Sequence, residues 1–303
     1  MAGVIATGNH PKAFWPGVKA WWGRQYDEHS VEYTDLFNME SSNQLYEEDV
    51  QVTGFGIAPV KRQGKSVDYD SESQGFTTRY THVTYGLGYI VTMEELRFNM
   101  YPIVSKRRAQ ANAFSMRQTK ELVAANVYNR CTTSGYNGGD GVVLLSASHV
   151  SKAGTWSNIL APAADISETA IEDLIIQIMG ATNDRGLKIN LMPQSLHVHR
   201  NDWFEANRIL KSTLQSGTAN NDLNVLKSTN ALPKGIKVNH YFTDTDAWFI
   251  RTNAPRGMIG YQAIPIAFTQ DNDFDTENAK AKSIEMYSFG WTDPRGVYGS
   301  IGA

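Results

Sequence analysis

The stretch FTTRYTHVTY at residues 76–85 constrains the fold more than any other part of the chain. Its β-branched and aromatic residues are typical of β-strands. Phe76, Tyr80 and His82 would share one face with two threonines, and neither this face nor the opposite one is apolar enough to bury against a core. Because an isolated two-stranded hairpin is at best marginally stable in water, residues 46–92 are predicted to form a long hairpin that needs a neighbour to lie on.

Helical periodicity replaces this alternation after residue 92. Thr92 followed by Glu95 is a capping-box pattern, which predicts the start of a helix. Apolar residues then recur at three- and four-residue intervals, and Pro102 is expected to kink this stretch or to begin its longer second part. From Ile103 to Cys131 the helix would be about 43 Å long at ~1.5 Å per residue. This length predicts a spine helix for the whole domain.

Shorter elements are predicted for the second half of the chain, and together with the hairpin and the spine helix they indicate an α+β fold. Their helices begin after residues that favour N-caps, and their strands are rich in apolar and β-branched residues. The predicted elements are a helix at 167–183 capped by Asp165 or Ser167, a strand at Ser195–His199, a short helix capped by Asn201 or Asp202, a polar loop at 212–224, and strands around 236–242, 247–252 and 283–291.

Composition excludes several classes of protein. Charged residues make up 19% of the 303 residues and aromatic residues 11%, and this combination predicts surface that partners cover. The net charge of −3 argues against a protein that binds by neutralising phosphates. The single cysteine, Cys131, cannot form a disulfide within the chain. Neither a signal peptide nor a run of ~18 apolar residues is present, so we expect a soluble protein without membrane contacts that stays where it is made.

A serine and a histidine at residues 148 and 149 raise the possibility of nucleophilic catalysis. Ser148 and His149 could be the nucleophile and base of a soluble serine hydrolase, which is the alternative from a different functional class. Adjacent side chains of an extended loop point apart, however, so the pair cannot form the required hydrogen bond without an unusual turn. We therefore expect a structural loop in which His149 or a serine caps neighbouring backbone, and no catalytic residue.

No metal or cofactor site is expected either. His197 and His199 share one side of a predicted strand, but no third ligand stands out, and polar residues on an exposed strand face are the expected explanation. The acidic segment 271–282 has Thr276 where a calcium loop needs Gly, and Lys282 where it needs Glu. It is therefore predicted to be an acidic turn.

The order of these elements resembles that of the major capsid proteins of tailed bacteriophages, which have the Hong Kong 97-type fold. The resemblance is strongest in Gly141–Asn158, in Asp184–Leu210 and in the ending GWTDPRGVYGSIGA at 290–303. In the second of these stretches, Gly186 precedes an apolar strand containing Pro193, and a helix with an Ala-x-x-Ile-Leu segment follows. The resemblance implies a structural shell protein and not an enzyme.

The resemblance also implies a division of the chain into four parts. Residues 1–45 would be an N-terminal arm, and residues 46–92 would be the extended hairpin known as the E-loop. Residues 93–185, with a returning strand in 271–303, would form a peripheral domain that carries the spine helix. Residues 186–270 would form an axial domain near the symmetry axis of the capsomer.

The function that the resemblance implies is self-assembly into pentamers and hexamers, which form an icosahedral head around phage DNA. The shell would enclose the DNA without sequence-specific binding, and it would be made in the cytoplasm of the host bacterium before it becomes part of the virion. A separate scaffold, a portal and decoration proteins are further partners compatible with this function. An encapsulin-like compartment around a cargo enzyme is an alternative shell.

Assembly contacts are expected in the arm and in the hairpin. The aromatic arm could fold on its own domain or dock on another subunit, since interface cores are enriched in aromatic residues. Deleting about 58–84 is expected to leave a folded subunit that cannot close shells. The residues expected to make assembly contacts are Trp15, Trp21, Trp22, Lys61, Arg62, Lys65 and Tyr80.

Overall fold

The computed structural model describes residues 22–24, 26–27, 30–98, 101–214 and 222–303, and these form the expected α+β fold. The helices are α1 (Tyr33–Leu36), α2 (Met93–Phe98), α3 (Tyr101–Asn129), α4 (Glu168–Met179), α5 (Trp203–Lys211) and α6 (Val225–Ser228). The strands are β1 (Asn38–Ser41), β2 (Tyr46–Thr53), β3 (Ser73–Thr81), β4 (Val83–Val91), β5 (His149–Ser151), β6 (Gly154–Trp156), β7 (Pro193–His199), β8 (Ile236–Asn239), β9 (Trp248–Thr252), β10 (Met258–Asn272), β11 (Ala279–Trp291) and β12 (Val297–Ser300).

The spine helix α3 confirms the long helix expected from the sequence. Pro102 is its second residue, where the missing N–H costs nothing, so the proline begins the helix and does not kink it. The helix has 29 residues and ends at Asn129, two residues before the expected end at Cys131. The N-cap predicted at Thr92 is also present at the start of α2, because the Thr92 hydroxyl oxygen accepts a hydrogen bond from the Glu95 amide at 3.4 Å.

One sheet, in the strand order β1-β10-β11-β4, lies under the spine helix. Small and apolar residues of the helix, including Ala109, Ala113 and Met116, pack against Phe268 and Ala281 of the long β10–β11 hairpin. Strand β4 pairs with β11 along its whole length. The sequence placed β4 in a free hairpin, whereas the structure makes it an edge strand of the subunit's own sheet.

A second sheet, in the order β12-β9-β7-β8, separates two cores. Leu196 and Ile250 face the core that contains α4 and α5, while Phe249 faces the core under Tyr128 at the end of the spine helix. The expected boundary at residue 185 does not follow this packing. Helix α4 belongs to the core of the second sheet, β12 returns to that sheet, and β10 belongs to the first one.

The N-cap residues of α4 and α5 are among those predicted, Ser167 and Asp202, but only Ser167 makes a capping hydrogen bond with its side chain. The Ser167 hydroxyl oxygen accepts from the Ala170 amide at 3.2 Å, which satisfies an otherwise free N–H of the first turn. Asp202 precedes α5 but makes no capping hydrogen bond with its side chain. Nδ1 of His199 accepts a hydrogen bond from the Asn201 amide at 3.2 Å, so His199 caps the short turn that leads into α5.

Both histidines of β7 are buried, so the expectation of an exposed strand face was wrong. The second sheet is covered on both sides, and His197 therefore lies under the end of the spine helix, with its Nε2 2.8 Å from the Ser195 hydroxyl oxygen. Burial lowers the pKa of His197 to about 3, and the nearby Arg251 acts in the same direction. Within the described ranges, no group of three or more potential metal ligands exists, and no helix is both long and apolar enough to span a membrane.

Candidate functional site

Residues 54–72, called the loop below, join β2 to β3, and every one of them is exposed. The hairpin predicted within 46–92 is formed by β2 and β3 with this loop at its tip, and the described loop contains no strand. Its apolar side chains are unusually open to solvent: Val60 is 92% exposed and Ile57 81%. A concentration of exposed apolar side chains in one segment is typical of a site that a partner covers.

The tip of the loop, residues 57–67, combines this apolar surface with positive charge. Lys61, Arg62 and Lys65 lie in it, and no acidic residue does. A turn presents the three cations, since the Lys65 amide donates to the Arg62 carbonyl oxygen at 3.2 Å and Gly64 has a φ of +80° that favours glycine. The tip is therefore a cationic and apolar surface without a core of its own.

The two ends of the loop are fastened to each other and to Arg185. The Arg185 guanidinium donates to the Gly54 carbonyl oxygen at 3.0 Å and to the Ser71 carbonyl oxygen at 2.5 Å. The Asp70 carboxylate accepts from the Gly56 and Ser71 amides, both at 2.8 Å. These backbone hydrogen bonds, with a smaller effect of Arg185, lower the pKa of Asp70. These contacts fix the two ends of the loop, residues 54–56 and 70–71, on the subunit, and this fixed part is called the root below.

The base of the hairpin, where β2 and β3 meet the rest of the subunit, is buried around Tyr80. The Tyr80 hydroxyl donates to the Thr292 hydroxyl oxygen at 2.7 Å, because Thr292 itself donates to the Asp49 carboxylate at 2.7 Å. Its ring packs edge-on against Tyr261 at 5.1 Å between centroids. Burial raises the pKa of Tyr80. A Cβ on Gly290 would stand 2.9 Å from this ring, so that glycine is required for the contact.

His82 connects the base to two further elements. Its Nδ1 lies 2.9 Å from the Ser288 hydroxyl oxygen of β11, and its Nε2 lies 3.1 Å from the Ser42 hydroxyl oxygen after β1. The side chain is buried, and this burial lowers its pKa. The neutral imidazole of His82 therefore connects the end of the hairpin with β11 and with the segment that follows β1.

The Ser148–His149 pair has no geometry for hydrolysis. Asn158 donates through Nδ2 to three backbone carbonyls, so its Oδ1 is the acceptor that faces Nε2 of His149 at 3.1 Å. Nδ1 of the same ring donates to the Asp140 carboxylate at 2.6 Å. Both ring nitrogens of His149 are thus engaged by Asp140 and Asn158, and neither is directed at the Ser148 hydroxyl. The Ser148 amide donates to the Ser146 hydroxyl oxygen at 3.1 Å, as expected for a structural loop.

The seven residues expected to make assembly contacts fall into three groups. Trp15 and Trp21 lie outside the described residues. Trp22 and Tyr80 are buried within the subunit, and Trp22 stacks on Phe268 at 5.3 Å between centroids while its indole N–H donates to Asn112 at 2.7 Å. These two side chains leave little surface for a neighbour. Lys61, Arg62 and Lys65 are exposed at the tip, where an assembly role stays a prediction.

Arg185 and Phe274 are functional candidates that the sequence analysis missed. Arg185 is separated from the loop by more than 110 residues in the chain, and its contacts with Gly54 and Ser71 depend on the fold alone. Phe274 is 96% exposed at the turn between β10 and β11. A sequence signal existed for it, because it is an isolated aromatic residue inside the acidic segment DNDFDTEN.

A protein family described as "Phage capsid protein" has a model that matches residues 75–300. This match covers about three quarters of the chain. It begins inside β3, so the loop lies outside it, whereas the spine helix, the second sheet and three strands of the first sheet, β4, β10 and β11, lie within it. No curated protein matches the chain in sequence.

Solved capsid structures have the same fold at low sequence identity. The capsid protein of an empty GTA particle is 9% identical, with a TM-score of 0.56, over 99% of this chain and 100% of that one. The chain from Mycobacterium phage Patience is 10% identical, with a TM-score of 0.54, over 99% and 89% of the two chains. A virus-like particle from Pyrococcus furiosus is 10% identical, with a TM-score of 0.53, over 94% and 98%. These similarities confirm the predicted fold.

Proposed function

Because this chain belongs to the phage capsid protein family and has the Hong Kong 97-type fold, we propose that its copies form the pentamers and hexamers of an icosahedral phage head. The protein is a structural component of a capsid shell. The observation that carries the assembly part of the proposal is the loop, which exposes apolar and cationic side chains on a root that the subunit holds in place. Neither the cargo compartment nor the serine hydrolase is favoured.

The assembly contacts are heterologous in this proposal. A loop that leaves its own subunit meets a different surface on the next copy, and repetition of such a contact closes rings. Slightly different angles in pentamers and hexamers can be absorbed where a narrow root carries the contact, as it does at Arg185. Permanent assemblies of this kind typically bury more than ~2,000 Å² per interface, so the tip would be one part of a larger contact.

A purely structural role, without catalysis, is consistent with the chemistry of the described residues. Ser148 and His149, the pair considered as nucleophile and base, take part in structural hydrogen bonds. In this proposal the DNA is enclosed without sequence-specific binding, and the net charge of −3 argues against tight binding through its phosphates. We propose the host cytoplasm as the place of synthesis, and a scaffold, a portal and decoration proteins as additional partners.

Electron microscopy of the full chain, expressed alone and with candidate scaffold proteins, tests this function. Closed particles or capsomer rings are the expected result. Nucleic acid inside mature particles would separate a phage head from a compartment for a cargo enzyme. A monodisperse small species under every condition, with or without partner proteins, would contradict the proposal.

A further inference from the structure

We propose that the side chains of Lys120 and Gln262 react with each other to form an isopeptide bond inside one subunit, with Glu285 as the group that moves the protons. The three side chains come from the spine helix, β10 and β11, and they meet where the helix lies on the sheet. The inference goes beyond the proposed function, because such a bond forms within a single folded chain and requires no assembly.

The geometry places an amine, a carboxamide and a carboxylate within reach of one another. Nζ of Lys120 lies 2.5 Å from Oε1 of Glu285 and 3.4 Å from Oε1 of Gln262. Nε2 of Gln262 donates a hydrogen bond to the same Glu285 oxygen at 2.9 Å. One carboxylate oxygen therefore contacts both the nitrogen that attacks and the nitrogen that leaves. The carbon to be attacked is bonded to Oε1 of Gln262, so rotation about the last bonds of the two side chains brings Nζ onto it.

Burial of the site favours the reactive form of the amine. Lys120 is 1% exposed and Glu285 0%, and the ring centroids of Tyr33 and Tyr287 lie 4.8 and 5.2 Å from Nζ. Oε2 of Glu285 is also buried, and it has no hydrogen-bond partner among the described residues. A buried ion pair with an oxygen left unbonded is poorly compensated for the water it has lost, which favours transfer of a proton from Lys120 to Glu285. The neutral amine that results is a nucleophile.

The reaction balances without an oxidant, a reductant or a co-reactant. After the first proton transfer, Nζ attacks the carboxamide carbon of Gln262, and the electron pair of the C=O bond moves onto Oε1. Glu285 gives its proton to Nε2 and takes the surplus proton from Nζ. The bond between the carbon and Nε2 then breaks, the carbonyl forms again, and the ammonia that leaves takes the proton held by Glu285. The products are one secondary amide and one ammonium ion, and the Glu285 carboxylate is restored.

The bond would join the spine helix to the sheet beneath it. Gln262 is only half-buried, so the ammonia has a route to solvent on that side of the site. The covalent loop would run from residue 120 to residue 262, and closing so long a segment restricts the unfolded chain. The modified subunit should therefore have a higher thermal midpoint than an unmodified one.

Intact-mass spectrometry of the full chain tests the reaction. When the folded subunit is purified and incubated at neutral pH, its mass should become lower than the mass of its sequence by one molecule of ammonia. The reaction needs no added reagent, so the loss should proceed to completion in the purified protein alone.

Tandem mass spectrometry of a tryptic digest locates the bond, because ammonia can also be lost where an asparagine forms a succinimide. Trypsin cannot cleave after an acylated lysine, so residues 118–130, which include Lys120, should stay in one piece. They should be joined to residues 257–280, which include Gln262. Without the bond, cleavage after Lys120 splits the first of these peptides in two.

Single substitutions separate the roles of the three groups. Lys120→Arg and Gln262→Leu each remove one reacting group, and each variant should keep the full mass of its sequence. Glu285→Gln retains both reacting groups but cannot carry protons between them, so its loss of ammonia should be slower by about a hundredfold or more. Lys188→Arg, at an exposed lysine, is the matched control and should lose ammonia as the wild type does.

The wild-type measurement decides the matter even where a variant fails to fold. A wild-type chain that keeps the full mass of its sequence would show that the three side chains form a buried ion pair and nothing more, and the inference would fail. Loss of ammonia without the branched peptide would overturn it as well. Neither result touches the shell function, which is measured by particle formation. A chain that forms the bond but no particles would contradict the proposed function alone.

Discussion

The base and the loop belong to the same hairpin, but they are stabilised in opposite ways. At the base, Tyr80 is 3% exposed and takes part in a chain of hydrogen bonds that reaches Thr292 and Asp49. In the loop, every residue is exposed, and Val60 is 92% exposed. The comparison shows that one continuous hairpin can contribute part of a subunit's core and, a few residues further on, a loop that the subunit itself leaves entirely exposed.

The largest difference in stability between the base and the loop should appear when each segment is replaced by a linker. Replacing residues 58–84 with a short Gly-Ser linker should unfold the subunit, because the replacement removes all of β3, including Tyr80, together with His82. This corrects the expectation from the sequence that such a deletion leaves a folded protein. Replacing only residues 57–67 with a linker of equal length should change the thermal midpoint by no more than about 2 °C and should abolish shell closure. Circular dichroism melts would contradict the comparison if both replacements melted alike.

Two tyrosines of this hairpin allow a matched comparison of single residues. Tyr80→Ala should lower the free energy of unfolding by about 3–5 kcal/mol, because it empties a buried site. Tyr80→Phe should cost about 1 kcal/mol through the lost hydrogen bond to Thr292. Tyr69→Ala, at a residue that is 92% exposed, should stay within about 0.5 kcal/mol. Urea denaturation of the unassembled subunit measures all three, and equal losses at Tyr80 and Tyr69 would contradict a buried base.

A smaller effect is expected from the titration of the base. Burial lowers the pKa of His82 below its unfolded value, so its neutral form stabilises the folded subunit above the unfolded pKa near 6.5. This contribution is lost as the pH falls through the lower, folded pKa. His82→Asn cannot be protonated, so its free energy of unfolding should fall less steeply between pH 7 and pH 5. Parallel curves of unfolding free energy against pH for the two proteins would show that the pKa of His82 is the same in the folded and unfolded states.

The smallest effect on stability is expected at the root of the loop. Arg185→Gln should change the free energy of unfolding by less than about 1 kcal/mol, because the guanidinium is partly exposed to solvent. Trypsin should nevertheless cleave at the tip severalfold faster, since the root no longer restricts the loop. Arg208→Gln on α5, an exposed arginine paired with Glu205, is the matched control. Equal cleavage rates for both variants would show that Arg185 does not hold the loop.

Much of the fold could be predicted because it depends on local signals. Three helix starts were predicted: the N-cap at Thr92, the N-cap at Ser167 and the start of the spine helix near Pro102. Each of them depends only on residues within one turn of that helix start. Each one satisfies backbone N–H groups at a helix end, which is a requirement that short sequence patterns express directly. The absence of a catalytic geometry at Ser148–His149 was predictable for the same reason, since it follows from neighbouring residues.

The burial of polar strands could not be predicted in the same way. Tyr80 at the end of β3 and His82 just after it lie in a segment whose polar composition indicated exposure, yet both are buried because partners more than two hundred residues away in the chain satisfy them. The cost of burying a polar side chain disappears once a hydrogen bond replaces the lost water. A pattern of residue types along one strand carries no information about such a partner.

The sequence by itself determined the α+β class, the spine helix with its start, and the concentration of cations at residues 61–65. Only the tertiary structure decided which part of the hairpin is core, which helices pack on which sheet, and that Arg185 holds the two ends of the loop. The physical reason is distance along the chain. Propensity, capping and charge act over a few residues, whereas burial and the relative placement of surfaces depend on contacts between segments more than one hundred residues apart.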